Sequence, residues 1–331
     1  MKAVILDSFG PPDVMRVDEI DAPSPGPGQV LIEVAATSVN RPDIVQRQGY
    51  YPPPKGESEI LGLECAGTIV EVGEGVGSGD ESPSVGDRVF ALVAGGGYAE
   101  LAVAEASHVV PIPDDMPFEQ AACIAETYIT AYLNLFREAR LGDGEAVLLH
   151  GGGGGVNAAA IQLVDALCPS SQILVTASEH KLKRVEALGV DLVIDYRASD
   201  FAAEVKSFTT GHGTDVILDH IGAGYLDKNL EALAVNGRLV VIGVMQGSDA
   251  KLSLGRLMIK RQRIIGSVLR LRPREEKAGI IADFAKTVMP LFQRGRIAPL
   301  IDSLMPLERV ADAHRRMESS EHFGKIVLVM D

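Results

Sequence analysis

Residues 150–163 read HGGGGGVNAAAIQL, five consecutive glycines between the aliphatic run EAVLL (145–149) and an alanine-rich segment. A glycine turn after a strand and before a helix lets backbone N–H groups approach a phosphate, and the helix adds its positive end. The same composition describes a hinge, but the strand and helix on either side favour a dinucleotide cradle. Gly152 and Gly154 then take the first two fingerprint positions, and Gly153, Gly155 and Val156 complete the turn. The third position falls on Asn157, where close helix–strand packing ordinarily asks for glycine. An asparagine there can bond local backbone at the helix start or point toward the ligand. The following strand ends VTAS, placing Ser178 where an NAD site has a ribose-binding acid. Glu179 lies one residue further on. Turned inward it would read NAD; otherwise it is a favourable acid in a helix's first turn.

Metal chemistry finds little support. The chain has seven histidines and three cysteines, but no C-x-x-C, H-x-x-x-H or H-E-x-x-H set, and zinc needs three or four convergent ligands. Cys65, Cys123 and Cys168 are far apart and odd in number, so they read as small buried hydrophobes in a reducing compartment rather than as a disulfide framework. A net charge of −14 argues against nucleic-acid or anionic-membrane partners. The basic stretch 255–277 is a local exception and reads as a solvated or subunit-facing surface. No apolar run reaches a membrane span. The N-terminal MKAVILDSFG lacks the long apolar core of a signal peptide, so a cytoplasmic location is expected.

These residues need a scaffold, and the chain changes character near residue 125. Before it, 30–39, 66–73, 87–93 and 98–105 read as short strands between glycine- and proline-rich loops, among them 23–29 and 73–87. That spacing suggests an irregular β-barrel or sandwich. After about residue 140, strands at 146–150, 172–178, 192–196, 215–221, 237–244 and 263–269 alternate with helical segments at 156–167, 181–189, 201–209 and 226–234. Near-continuous aliphatic strands alternating with helices make a doubly wound parallel sheet. A helix over 274–292 and a final strand over 324–330 follow, and the strand is expected to complete the first domain's sheet. The expected fold is α/β with two domains, a dinucleotide-binding one at 125–269 and a discontinuous β-rich one at 1–124 and 270–331.

Several longer stretches carry a family resemblance: SVNRPDIVQRQGYYPPPKGESEILGLECAG (38–67), GDRVFALVAGGGYAE (86–100), AACIAETYITAYLNLF (121–136) and MPLERVADAHRRMESSEHFGKIVL (305–328). The chain resembles, end to end, the zeta-crystallin-like quinone oxidoreductases of the medium-chain dehydrogenase/reductase superfamily. The resemblance implies a GroES-like catalytic domain, a Rossmann domain, a cofactor cleft between them and a homodimer. It puts Lys181 and Tyr196, with Ser178, around the 2′-phosphate of NADPH. It also places Thr127 and Thr130 near the nicotinamide, with Gly243, Val244, Val268 and Leu269 flanking its carboxamide. Asn40 and Tyr51 would line the catalytic cleft as an amide donor and a phenol, although Tyr50 offers an equal phenol. Leu63 stands where a G-H-E motif supplies a zinc-binding histidine, and Asn157 departs from the family's usual glycine. The expected activity is zinc-free, NADPH-dependent reduction of quinones or related conjugated carbonyls. Reduction of 2-enals or enoyl thioesters, and a non-catalytic crystallin-like NADPH-binding role, are the alternatives.

Overall fold

A computed structural model describes residues 1–77, 79 and 82–330. Ser78, Asp80 and Glu81, in the loop read over 73–87, and Asp331 lie outside the described residues. The chain divides into two compact units, Met1–Ile129 with Arg270–Asp331, and Thr130–Leu269.

The first unit opens with strands β1 (Lys2–Leu6), β2 (Met15–Glu19) and β3 (Gln29–Ser38), then helix α1 (Arg41–Arg47). Strands β4 (Glu64–Val72), β5 (Arg88–Leu92), β6 (Leu101–Glu105) and β7 (Val109–Pro111) follow, then helices α2 (Phe118–Ala121) and α3 (Ala125–Tyr132). The second unit runs β8 (Ala146–His150), α4 (Gly155–Leu167), β9 (Gln172–Ala177), α5 (Leu182–Glu186) and β10 (Leu192–Asp195). It continues with α6 (Phe201–Phe208), β11 (Thr214–Asp219), α7 (Leu226–Ala232), β12 (Leu233–Val241), α8 (Leu254–Ile259) and β13 (Arg263–Gly266). The chain returns to the first unit through α9 (Arg274–Gln293), β14 (Ile301–Pro306), α10 (Val310–Ser319) and β15 (Lys325–Val329).

The first unit is built on the ten-residue β3. Its sheet runs β14-β15-β3-β4-β5-β7, with β6 also pairing β3 and β1–β2 forming a separate hairpin. The last strand of the chain therefore lies antiparallel beside β3, Val327 opposite Ser38 and Leu328 opposite Thr37. Ile32, Cys65, Ile69, Val89, Ala91 and Ala102 fill the interior with almost no exposed surface.

In the second unit the order β10-β9-β8-β11-β12-β13 is parallel throughout. This is the doubly wound order, whose switch point lies between β8 and β11. Leu148, Leu174, Ile217 and Leu239 have no exposed surface, which is why these strands are aliphatic rather than alternating. The helix expected over 226–234 stops at Ala232 because Leu233 turns extended, at ψ 137. The Lys260 ammonium bonds the Leu233 and Glu231 carbonyls at 2.6 and 3.0 Å, and the Gln262 amide bonds Leu230 at 2.8 Å. These carbonyls at the helix end are thereby satisfied. The basic stretch 255–277 meets groups of its own chain: Arg256 pairs with Asp227, Arg272 with Glu276 and Arg274 with Glu105.

Candidate functional site

In the second unit the carboxyl edge of the sheet gathers most of the expected cofactor residues. The glycine turn follows β8, Ser178 follows β9, Tyr196 follows β10, Gly243 and Val244 follow β12, and Val268 and Leu269 follow β13. The turn is tied to the neighbouring strand. The Gly151 and Gly152 N–H groups donate to the Thr176 carbonyl at 2.9 and 3.0 Å, and Thr176 Oγ1 accepts a second contact from Gly151 at 3.2 Å. Gly151, absent from the expected cradle, sits at φ +81, a conformation that glycine adopts without a side-chain clash. A Cβ on Gly152 would lie 2.4 Å from Val175 Cγ1 and 3.0 Å from Val185 Cγ1. That glycine seats the turn on β9 and α5 rather than making room for a ligand. Gly154 differs: it precedes α4, no side chain caps the helix, and a Cβ there would meet only Gly151 O at 3.5 Å. The first intrahelical donor is Ala158, to Gly154 O at 2.9 Å. The N–H groups of Gly155, Val156 and Asn157 therefore stand at the positive end of the helix, as an anion requires.

Asn157 takes the first of its two readings. Its side chain is buried, and its amide nitrogen donates to the carbonyls of His150 and, at 3.2 Å, Gly151. The asparagine thus satisfies backbone acceptors at the exit of β8, which a glycine would leave to water. His150 lies beneath the turn, its Nε2 2.7 Å from Asn229 Oδ1 and its Nδ1 3.1 Å from Thr176 Oγ1. Burial, aided by nearby His220, lowers its pKa to about 3 despite the Asn229 bond. The imidazole stays neutral.

Ser178 precedes the single turn Glu179–Lys181 and makes no side-chain cap bond. Glu179 is exposed and Tyr196 half-buried, while Lys181 keeps only 8% of its surface. Val244 and Val268 are exposed and Leu269 is buried. Thr130 is half-buried on α3, its carbonyl accepting from Asn134 at 2.8 Å.

In the first unit a buried polar cluster centres on Glu64, which has no exposed surface. Its Oε1 accepts from Ser38 Oγ, from Asn40 Nδ2 at 2.8 Å and from Lys325 Nζ at 3.1 Å. Its Oε2 accepts from the Glu126 N–H at 2.8 Å. Asn40 is therefore engaged on all sides: Nδ2 serves Glu64 and, at 3.3 Å, Ser38 O, and Oδ1 receives the Lys325 ammonium. Its backbone N–H bonds Asp43 at 2.8 Å. It is a holding residue more than an open donor. From Asp43 the network continues through the Tyr98 hydroxyl at 3.1 Å and His314 Nε2 at 3.2 Å. Beyond His314, Nδ1 meets Arg47 at 3.1 Å, and Arg47 pairs with Glu318. Because Arg47 can only donate, His314 Nδ1 is the acceptor and Nε2 carries the proton. Burial, then the Arg47 charge, lowers His314 to about 3. Burial raises Asp43 to about 6, against its hydrogen bonds from Asn40 and Tyr98.

The two tyrosines now part. Tyr50 is 81% exposed, whereas Tyr51 is half-buried with the Arg270 guanidinium 5.1 Å from its ring centroid. Arg270 also holds the Tyr51 carbonyl at 3.3 Å, Gln46 Oε1 at 2.8 Å and the Ala94 carbonyl. Among the described residues the Tyr51 hydroxyl and the Glu126 carboxyl accept or donate no hydrogen bond, although Tyr51 feels the Glu126 charge. Burial, then Glu64 and Asp43, raises Glu126 to about 8; Lys325 and Arg270 oppose this. Burial, then Glu126, raises Tyr51 to about 12. Thr127 is buried, its hydroxyl donating to Cys123 O at 2.7 Å. Glu64, Glu126, Lys325 and Arg270 were not singled out from sequence. Glu64 was visible in LGLECAG and Glu126 in AETYITAY, but those stretches draw attention to a missing histidine and to threonines.

A β-rich unit holding a buried polar cluster and a doubly wound unit with a glycine turn at its carboxyl edge define a two-domain dehydrogenase. Residues 26–114 match the alcohol dehydrogenase GroES-like domain and residues 188–328 the zinc-binding dehydrogenase domain. The chain is 31% identical to the synaptic vesicle membrane protein VAT-1 homolog of Rattus norvegicus, over 99% of this chain and 84% of that protein. It is 33% identical to the quinone oxidoreductase of the same species, over 100% of this chain and 98% of that protein. Among solved structures, Escherichia coli quinone oxidoreductase complexed with NADPH aligns at TM-score 0.88 and 26% identity, over 99% of this chain and 100% of that one. CurK enoyl reductase aligns at 0.87 and 28%, over 100% and 99%. The chain belongs to the medium-chain dehydrogenase/reductase superfamily, among the relatives of the quinone oxidoreductases.

The glycine geometry separates two substitutions. Gly152→Val should unfold or strongly destabilise the second unit, because its Cβ meets Val175 and Val185. Gly154→Val should leave the thermal midpoint near that of the parent and abolish dinucleotide binding. Calorimetric titration beside thermal melts reads both, and retained binding in folded Gly154→Val would reduce the turn to a hinge.

Stability against pH has two opposing parts. His150 and His314 stay neutral in the folded chain down to about 3 but take a proton near 6.5 when unfolded. Their contribution is lost as pH falls from about 6.5 toward 3. Glu126 works the other way: folded, it keeps its proton to about 8, against 4.5 ordinarily, so its cost grows as pH rises across that window. Urea midpoints of Glu126→Gln and parent should diverge in the variant's favour from about pH 5 to about pH 8. A constant gap would show that the carboxyl ionises as freely folded as unfolded.

Proposed function

We propose that this chain is an NADPH-dependent reductase that passes reducing equivalents to quinones or related conjugated carbonyls, without a metal, in the cytoplasm. The observation that carries the reading is the pair left open in the first unit's polar cluster. Glu64, Asp43 and Asn40 are saturated with partners, whereas the Tyr51 hydroxyl and Glu126 carboxyl have none among the described residues. The cradle of the second unit suits a pyrophosphate: uncapped helix N–H groups, a side-chain-free Gly154, and Asn157 bonded inward, leaving the approach clear. Bound there, NADPH would supply the hydride. The chain's own part is to orient the acceptor and to provide the proton that balances the added hydride. Tyr51, at about 12, is the weaker acid and serves as the orienting donor. Glu126, which keeps its proton to about 8, is the better source. The metal-free part is supported by the donors: among the described residues no three His, Cys, Asp or Glu side chains group as metal ligands. Burial also pushes the Cys65 thiol up to about 12 and the Cys123 thiol higher still, which disfavours the thiolates zinc requires.

The likeness to CurK enoyl reductase favours a second reading, reduction of an activated C=C in a 2-enal or enoyl thioester, which makes the same demand for an oriented acceptor and a proton. A non-catalytic, crystallin-like NADPH-binding role is the remaining alternative. We also propose a homodimer. Strand β13 is a sheet edge, and Leu254 and Met258, which line a surface hollow with Arg263 of that strand, are 69% and 72% exposed. A second copy pairing along this edge would cover them. Among the described residues no helix is long and apolar enough to cross a membrane.

Loss of NADPH absorbance across a panel of quinones, enals and enoyl thioesters, with and without chelator, tests the reading. The expected result is quinone-dependent, chelator-insensitive turnover. Glu126→Gln should lower kcat on the order of a hundredfold and remove an alkaline fall centred near pH 8, while Tyr51→Phe acts mainly on KM. NADPH binding without turnover of any acceptor would leave the non-catalytic alternative standing.

A further inference from the structure

The charge that reads the 2′-phosphate has a better candidate than the lysine expected from sequence. Strands β9 and β10 are parallel neighbours ending at Ala177 and Asp195. The Tyr196 N–H donates to the Ala177 carbonyl at 3.4 Å, so Ser178 and Tyr196 emerge side by side at the carboxyl edge. The next residue is Arg197, whose N–H donates to Asp195 Oδ1 at 2.9 Å, fixing the turn. Its guanidinium stands 5.6 Å from the centroid of the Tyr196 ring, within cation–π range. Arg197 is exposed. Among the described residues its guanidinium has no ion pair, and the hydroxyls of Ser178 and Tyr196 have no hydrogen-bond partner.

Two hydroxyl donors and a free guanidinium thus meet where the second strand ends, the place at which this fold reads the cofactor's ribose 2′ position. No acid stands at the end of β9 itself, and exposed Glu179 lies beyond Ser178. An arginine fork matches two phosphate oxygens at once, and the hydroxyls can bond the third. Lys181 offers little by comparison, keeping only 8% of its surface. We propose that Arg197, held over Tyr196, is the residue that selects NADPH over NADH, and that Lys181, largely buried, is not. This rests on the NADPH reading above and deepens it by naming the selecting charge.

The test is equilibrium binding of NADPH, NADH and adenosine 2′,5′-bisphosphate to the parent, Arg197→Ala, Arg197→Lys and Lys181→Ala. The parent should prefer NADPH, more weakly as salt rises. Arg197→Ala should lose roughly ten- to a hundredfold in NADPH and bisphosphate affinity, the range for a charged hydrogen bond, with NADH affinity and thermal midpoint unchanged. Arg197→Lys should recover part of the preference, since a lysine restores charge without the fork. Lys181→Ala, where it folds, should keep the parent's ratio. A parent that discriminates while Arg197→Ala retains the full ratio overturns the inference alone, as does a ratio that collapses only in Lys181→Ala. A parent binding NADPH and NADH equally overturns the NADPH reading beneath it.

Discussion

The first unit depends on one buried ion pair. Glu64 has no surface and Lys325 almost none, and a carboxylate so placed is tolerable only beside a counter-charge and a full set of hydrogen bonds. Lys325 supplies the charge from 261 residues away, on the last strand of the chain, and Ser38, Asn40 and the Glu126 N–H supply the bonds. Much follows. The ammonium fixes which way the Asn40 amide points, Asn40 begins α1, and α1 presents Asp43 to Tyr98 and Arg47 to His314. Removing one partner would leave the other buried and uncompensated, which is why the terminal strand belongs to the unit's core and is not an appendage.

With its one lysine committed to Glu64, the cluster has no cation left to pair with Glu126. That carboxyl lies among Glu64, Asp43, Lys325, Arg270 and Tyr51, and the like charges together with burial outweigh the two cations. A group in this state holds a proton at neutral pH and can part with it when negative charge develops nearby. Arg270 is committed to carbonyls and to the Tyr51 ring, so it acts as a clamp rather than a counterion. Positioning and acidity at this site therefore have the same origin, the distribution of a few cations among more carboxylates in a poorly solvated interior.

The second unit solves a different problem, the seating of a glycine turn that leaves the first N–H groups of α4 uncapped. Thr176 anchors the turn through its carbonyl and hydroxyl, Gly151 supplies the left-handed residue, and Gly152 lets the turn settle on Val175 and Val185. Asn157 is compatible with this because its amide bonds backward to the end of β8. The departure from a glycine fingerprint is accommodated by two carbonyl acceptors, not by the ligand.

Sequence alone determined the second unit closely. Buried parallel strands must be continuously aliphatic, and the turns between them must carry glycine or a cap, so AVLLH, the glycine run and QILVTAS declare themselves locally. It read less of the first unit: the β1–β2 hairpin, β14 and α10 were not singled out, because short strands whose partners lie far away carry weak periodic signals. The site was hidden for the same reason. Glu64 and Lys325, Tyr98 and His314, Tyr51 and Arg270 are each separated by more than two hundred residues, and nothing in their neighbourhoods marks them as partners. Whether Tyr50 or Tyr51 faces inward, whether Asn40 is free or engaged, and how far Lys181 is covered are questions of burial. Burial is set by long-range packing, and only the tertiary structure decided it.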